Sequence, residues 1–209
     1  MTSNPISQKD SEGHTSNALG LERLIFFSDA VFAIAIALLA LEIRLPDLVT
    51  PVSNAKLLKN LLAIWPKYLG YAVSFLVIGA LWAGHHRKFL LIRRYNGRLL
   101  FLNLLLLMSI AFIPFSTSVI SEYGNLTATV FYALSIGVAG LLSALVWWYA
   151  ARNYRLVDIK LDRIKRWREL LSPLSVSLVF FVSAGLAHIN SDLVKYVWLL
   201  LLPVTFFAR

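Results

Sequence analysis

From Leu21 to Ile43 the chain carries ionisable side chains only at Glu22, Arg23, Asp29 and Glu42, and the rest of that stretch is apolar or small. A helix of about 20 predominantly apolar residues crosses the hydrocarbon core of a bilayer. Runs of this length recur along the 209 residues, too long and too numerous for the core helices of a soluble domain. With 58% hydrophobic residues and a mean hydropathy of +0.70, the apolar surface exceeds what a soluble domain of this size can hide. The fold class that follows is an all-α, multi-pass membrane protein.

Six spans are expected. The first runs from about Leu21 to Ile43 and ends at Arg44, Leu45 and Pro46. The second begins near Ile64 and Trp65 and reaches about Ala83, and the third runs from about Leu99 to Ile120 with Pro114 inside it. A fourth covers about Leu126 to Tyr149 and closes on Trp147, Trp148 and Tyr149, suited to an interfacial aromatic belt. The fifth is expected from about Leu171 to Ile189 and the last, shorter one from Leu193 to Ala208. Residues 1–18 have no apolar signal-peptide core and read as a disordered tail, so the first span stays in the protein as an anchor.

The net charge of +9 is unevenly placed. One basic cluster holds Arg87, Lys88, Arg93, Arg94 and Arg98; a second runs from Arg152 to Arg168. Six spans put both termini and both basic loops on one side, which the positive-inside rule makes cytoplasmic. Such clusters between apolar runs suit anionic lipid headgroups and not a nucleic-acid partner. Residues 150–170 read either as a basic amphipathic segment on the inner leaflet, anchored by Ile159, Ile164 and Trp167, or as a plain solvated linker.

On a helical wheel the first span separates into faces. Ile34, Leu38 and Leu41 form a narrow stripe, flanked by a ridge of Ala30, Ala33, Ala37 and Ala40 that permits close helix approach. Phe32, Ile36 and Leu39 occupy the bulkier far side. Periodicity alone fits an ordinary buried helix; the polar residues shift that reading. An ionisable side chain at the bilayer centre costs roughly 2.5–3.5 kcal/mol on insertion scales, so it faces protein or water and finds partners. Arg23 and Asp29 are too far apart along one helix to serve each other. Trp82, His85, His86, Asn103 and Ser109 on the next two spans are the candidate partners, with snorkelling to the interface open to Arg23.

Arg23-x-x-x-Phe27-Ser28-Asp29 at the mouth of a first span resembles the signature of the transmembrane protein 175 family, the lysosomal and endosomal potassium channels and their prokaryotic relatives. The likeness continues in Leu81-Trp82-x-x-His85 with Phe89 at the close of span two, in Asn103 of span three, in Phe112-Ile113-Pro114-Phe115, and in the six-span length. It covers residues 21–120 by motif and the remainder by topology. A single-repeat chain of this kind resembles the prokaryotic members, which implies a homotetramer in the prokaryotic inner membrane with four first helices around a central pore. Residues 19–209 would form the channel domain.

The resemblance also implies a hydrophobic constriction in place of a TVGYG filter. Carried over by position, it falls on Ile34, with Leu38 and Leu41 one and two turns further out, the stripe already separated on the wheel. Potassium and other monovalent cations would be the permeant ions, with no cofactor and with the protein itself and membrane lipids as partners. Family members often carry a threonine at the position of Ala37; without that hydroxyl the expected discrimination is modest. Glu42, near the outer mouth but off the stripe, either concentrates cations or sits at the lipid interface.

Two other functional classes are weighed. A proton-coupled carrier would use Asp29 and His85 as its relay, although no internal repeat or Gly/Pro-broken helix pair is evident. An intramembrane enzyme is disfavoured, because His85-His86 lacks metal-ligand spacing and no GxSxG is present. The chain has no cysteine, hence no disulfide, thiolate metal site or cysteine nucleophile.

Overall fold

The computed structural model describes residues 5–46, 51–190, 194 and 198, with the side chains of residues 5–16 outside that set. Six α-helices are described: α1 (Pro5–Leu41), α2 (Asn54–Ala63), α3 (Trp65–Leu91), α4 (Gly97–Tyr123), α5 (Leu126–Ala151) and α6 (Arg163–Leu186). Five of them, α2 being the exception, are long and apolar enough to cross a membrane; the apolar part of α1 is Asn17–Leu41. The sixth expected span lies outside the described residues apart from Val194 and Trp198, which are helical and buried.

Helix ends follow local chemistry. Asn96 and Asn125 each cap a helix, accepting a hydrogen bond from Leu99 N and Ala128 N respectively, both at 3.0 Å. Gly124 ends α4 in the left-handed region at φ 58°, where a side chain is disfavoured. Charge alone ends nothing. The second span, expected to stop near Ala83, continues to Leu91, because Gly84–Leu91 contains no proline and basic side chains suit a helix C-terminus. Likewise the fifth span starts at Arg163 and not Leu171, so Ile164 and Trp167 belong to its first turns. Residues 150–170 are therefore neither one surface helix nor a plain linker. The tail expected to be disordered is helical from Pro5, continuous with the first span.

A feature that the apolar runs did not announce is α2. Its leucines 57, 58, 61 and 62 share one face while Lys56 and Lys59 take the other, and none of its residues is buried.

Among the described elements, α5 packs broadly against α4 and α6, while α1 touches only α3 and α4. Lipid tails are as apolar as leucine, so close fit and interhelical hydrogen bonds hold such a bundle, and small residues set the closest approaches. At Gly140 on α5 an added Cβ would stand 2.5 Å from Ser177 Oγ and 3.0 Å from the Pro173 carbonyl oxygen of α6. Gly140→Leu is expected to destabilise the fold by about 1–3 kcal/mol, since backbone on the facing helix cannot step aside. Gly79→Ala, with open space around its Cβ, serves as the control. Equal unfolding midpoints for the two variants in a detergent titration would contradict the close α5–α6 contact.

The two basic loops meet at one end of the bundle. Ile92 and Val157 form an isolated antiparallel bridge, and Arg93 N donates to the Leu156 carbonyl at 2.8 Å. Tyr95 N donates to Asn17 Oδ1 at 3.3 Å, which brings the start of the first span to the same end. At the opposite end Lys67 on α3 pairs with Glu122 on α4 at 2.6 Å.

Candidate functional site

Two features of α1 carry chemistry: a polar cluster near its basic end and an apolar face beyond it. The cluster is built from three helices. Ser28 is fully buried and donates to the Leu24 carbonyl one turn back at 2.8 Å. Its oxygen then accepts from Asn103 Nδ2 on α4 at 2.9 Å. That orients the amide, so Asn103 Oδ1 is the acceptor for His85 Nε2 on α3, also at 2.9 Å. The proton of His85 therefore sits on Nε2, and the chain of donors runs in one direction, from α3 through α4 to the backbone of α1.

The His85 ring stacks on Phe89, with centroids 4.1 Å apart, and lies 5.4 Å from the Phe32 ring. Both aromatic neighbours are buried, which walls the cluster from lipid. Beside it Trp82 Nε1 donates to Asp29 Oδ1 at 2.9 Å, a second tie between α1 and α3 that gives the carboxylate a partner. Trp82 in turn packs on His86, with centroids 5.7 Å apart.

The structure thus brings Ser28, Asp29, Trp82, His85 and Asn103 together. Arg23 and Phe27 stand apart, both exposed on the outer side of α1, so Arg23 does not reach the neighbouring spans. Ser109, considered as a partner, turns back to the Leu106 carbonyl of its own helix. Two further polar ties are not foreseen by the sequence reading. Lys88 is buried and donates to Ser143 of α5 at 2.9 Å, although its position in a basic run marked it as a loop charge. Thr117 of α4 donates to Ser74 of α3 at 2.8 Å, and Ser74 bonds to the Tyr132 hydroxyl of α5 at 3.0 Å. The sequence signal for this cluster is faint, because hydroxyls in apolar helices equally bond their own backbone, as Ser135 does with Phe131.

Above the polar cluster α1 divides sharply. Phe32, Ala35 and Leu39 are 1%, 1% and 0% exposed and form its packed face. Ile34, Leu38 and Leu41 are 58%, 40% and 64% exposed in the single chain. The alanine ridge at 30, 33, 37 and 40 is exposed on that same open side. Over the upper half of α1 one continuous face of small and aliphatic residues is exposed among the described residues. Among the described residues no group of three or more His, Cys, Asp or Glu side chains could hold a metal ion.

The sequence model of the endosomal/lysosomal potassium channel TMEM175 family matches residues 23–114. A protein named as a potassium channel from Streptomyces collinus is 40% identical over 181 residues, which span 82% of this chain and 84% of that one. A second so named, from Chamaesiphon minutus, is 39% identical over 146 residues, covering 68% of this chain and 71% of its own length. The crystal structure of a lysosomal potassium-selective channel TMEM175 homolog from Chamaesiphon minutus superposes with a TM-score of 0.79 at 30% identity, covering 90% of this chain and 97% of that one. The matched residues 23–114 contain every member of the α1–α3–α4 polar cluster.

Proposed function

The chain belongs to the endosomal/lysosomal potassium channel TMEM175 family, a family of ion channels, and on that premise we propose that it is a potassium-permeable cation channel built as a homotetramer. In this reading α1 of each copy lines a central pore, and Ile34, Leu38 and Leu41 form its constriction. The observation that supports it is the open apolar face of α1: Ile34, Leu38 and Leu41, which the family resemblance implies as the constriction, all lie on a face that the single chain leaves exposed. Conduction is passive. A ring of aliphatic side chains excludes water when narrow, and a slight widening admits a hydrated or partly hydrated cation.

Selectivity in such a pore comes from the different dehydration costs of cations at the rings. With Ala37 offering no side-chain oxygen, the preference for potassium over sodium is modest. The polar cluster holds α1 against α3 and α4, and Arg23 and Phe27 flank it at the cytoplasmic interface. Both termini are cytoplasmic, the basic loops facing the same side of a prokaryotic inner membrane. Residues 1–18 form a cytoplasmic extension to the channel domain of residues 19–209.

A proton-coupled carrier using Asp29 and His85 is the alternative. The two side chains bond to different partners, Trp82 and Asn103, which supports a structural role for each. Asp29→Asn separates the readings, because asparagine keeps an acceptor oxygen for Trp82 and loses the exchangeable proton. Passive potassium flux in liposomes is expected to stay within about twofold of the parent protein, the loss being one neutral-for-charged hydrogen bond at the edge of the cluster. Flux that stops with this variant, or that needs a proton gradient in the parent, would establish the carrier.

A further inference from the structure

The basic end of the bundle holds a cavity that the conduction mechanism does not use. It has a volume of about 190 Å³ and lies between the end of α5, the turn Arg152–Tyr154 and the second turn of α6. Arg152 and Arg166 are among the residues lining it, with Trp147, Trp148 and Trp167 forming aromatic walls. We propose that this cavity is a binding site for the phosphate headgroup of an anionic membrane lipid.

The two arginines are held from behind. The Arg152 guanidinium lies over the Trp148 ring at 4.9 Å, and that of Arg166 over Tyr154 at 4.8 Å. Stacking of this kind fixes the plane of a guanidinium and leaves its edge N–H groups free to fork onto phosphate oxygens. The backbone is shaped to the same end. Trp147 Nε1 donates to the Arg166 carbonyl at 2.9 Å, locking α6 to α5 across the floor. Asn153 and Tyr154 both adopt left-handed geometry, at φ 53° and 52°, which turns the chain after Arg152 back onto α5, where Leu156 N donates to the Ala150 carbonyl at 3.0 Å. Such backbone costs energy and persists only where its surroundings hold it.

A membrane lipid, and not a soluble phosphate, is the occupant the position favours. The cavity opens at the ends of two candidate spans, and Trp148, Trp167 and Leu171 beside it are exposed apolar side chains of the kind that settle among headgroups. No acidic residue is among those lining it; Glu169 pairs with Arg87 at 3.6 Å, and Asp158 accepts from Lys160 N. A headgroup phosphate would meet two arginines while its acyl chains descend along the tryptophans.

The test uses the full chain reconstituted in phosphatidylcholine vesicles with increasing brominated phosphatidylglycerol, read as quenching of tryptophan emission against brominated phosphatidylcholine. The parent protein should prefer the anionic lipid by about fivefold or more, the scale set by one or two interfacial arginines. R152Q/R166Q should lose most of that preference, while K160Q/K165Q, which removes equal charge outside the cavity, should keep it. If R152Q/R166Q does not fold, R152K/R166K retains charge without the planar fork and should fall clearly below the parent. Unchanged preference in the arginine variants, or equal loss in K160Q/K165Q, would overturn the built site. Displacement of the brominated lipid by millimolar inorganic phosphate would assign it to a soluble anion instead, and absence of preferential quenching in the parent would mean that no lipid enters. The readout is lipid contact and not current, so its outcome is separate from that of the channel reading.

Discussion

Ile34→Asn is expected to raise potassium flux through reconstituted liposomes by about tenfold, with Leu38→Asn close behind, and to bring the potassium-to-sodium ratio toward one. A tenfold change corresponds to about 1.4 kcal/mol off the barrier, a modest demand for exchanging an apolar ring for one that hydrogen-bonds water. The rise in flux and the loss of discrimination belong together. If cations are sorted by how much water they shed at the ring, a ring that supplies polar groups lowers every barrier and compresses the differences. Met108→Asn, at an exposed position on α4, is the control for leak caused by a polar residue in any span. Parental flux and ion preference in both α1 variants would remove the pore from this face, as would an equal rise in the control.

Asn103→Leu is expected to cost about 2–3 kcal/mol of stability, the largest loss for a single side chain in the polar cluster. Asn103 is fully buried and makes two interhelical bonds at once, accepting from His85 and donating to Ser28. Its removal leaves the His85 Nε2 proton without an acceptor, and a buried unsatisfied donor costs about 1–3 kcal/mol. Interhelical bonds in membranes average near 0.6 kcal/mol and reach about 1.7, so a pair contributes about 1–3 kcal/mol, and the orphaned donor carries the total into the stated range. Ser28→Ala should cost less, because its hydroxyl already spends its hydrogen on the Leu24 carbonyl. A double-mutant cycle between Ser28 and Asn103, read from detergent-induced unfolding, should give a coupling of about 0.5 kcal/mol or more. A change within about 0.5 kcal/mol for Asn103→Leu would mean that the chain of donors is not holding the helices together.

Five of the six expected spans were legible because apolar length is set by the bilayer, whose thickness leaves little choice; the sixth lies outside the described residues. Their ends at the basic side were not, since lysine and arginine mark a boundary in a membrane without stopping a helix. Arg87 and Lys88 illustrate this, standing on α3 well past the expected limit at Ala83. The α2 leucines hid in a connection whose residues are too few for a span and too mixed for a composition signal. In the cluster, Asp29, Trp82, His85 and Asn103 could be suspected from sequence because each is conspicuous in apolar surroundings. Ser74, Thr117 and Ser143 could not, since a hydroxyl has its own backbone as an alternative acceptor. The stripe at Ile34, Leu38 and Leu41 shows the limit most plainly. Periodicity tells which residues share a face, and the single chain tells that the face is open. What covers it is decided by neighbours outside the chain, which is why its test is ion flux.

The one-way chain from His85 through Asn103 to Ser28 ends on the backbone of α1 and therefore sets that helix's azimuth, like a pin through a shaft. Among the described residues, the side-chain hydrogen bonds from α1 to α3 and α4 lie at or below Asp29; above it Phe32, Ala35 and Leu39 pack against the bundle, and just past the helix end Lys67 Nζ of α3 donates to the Arg44 carbonyl at 3.4 Å. Ile34 stands about 9 Å along the helix from Ser28, and Leu41 about 20 Å. In the proposed pore, Ile34, the stripe residue nearest the pin, is therefore the position expected to turn least.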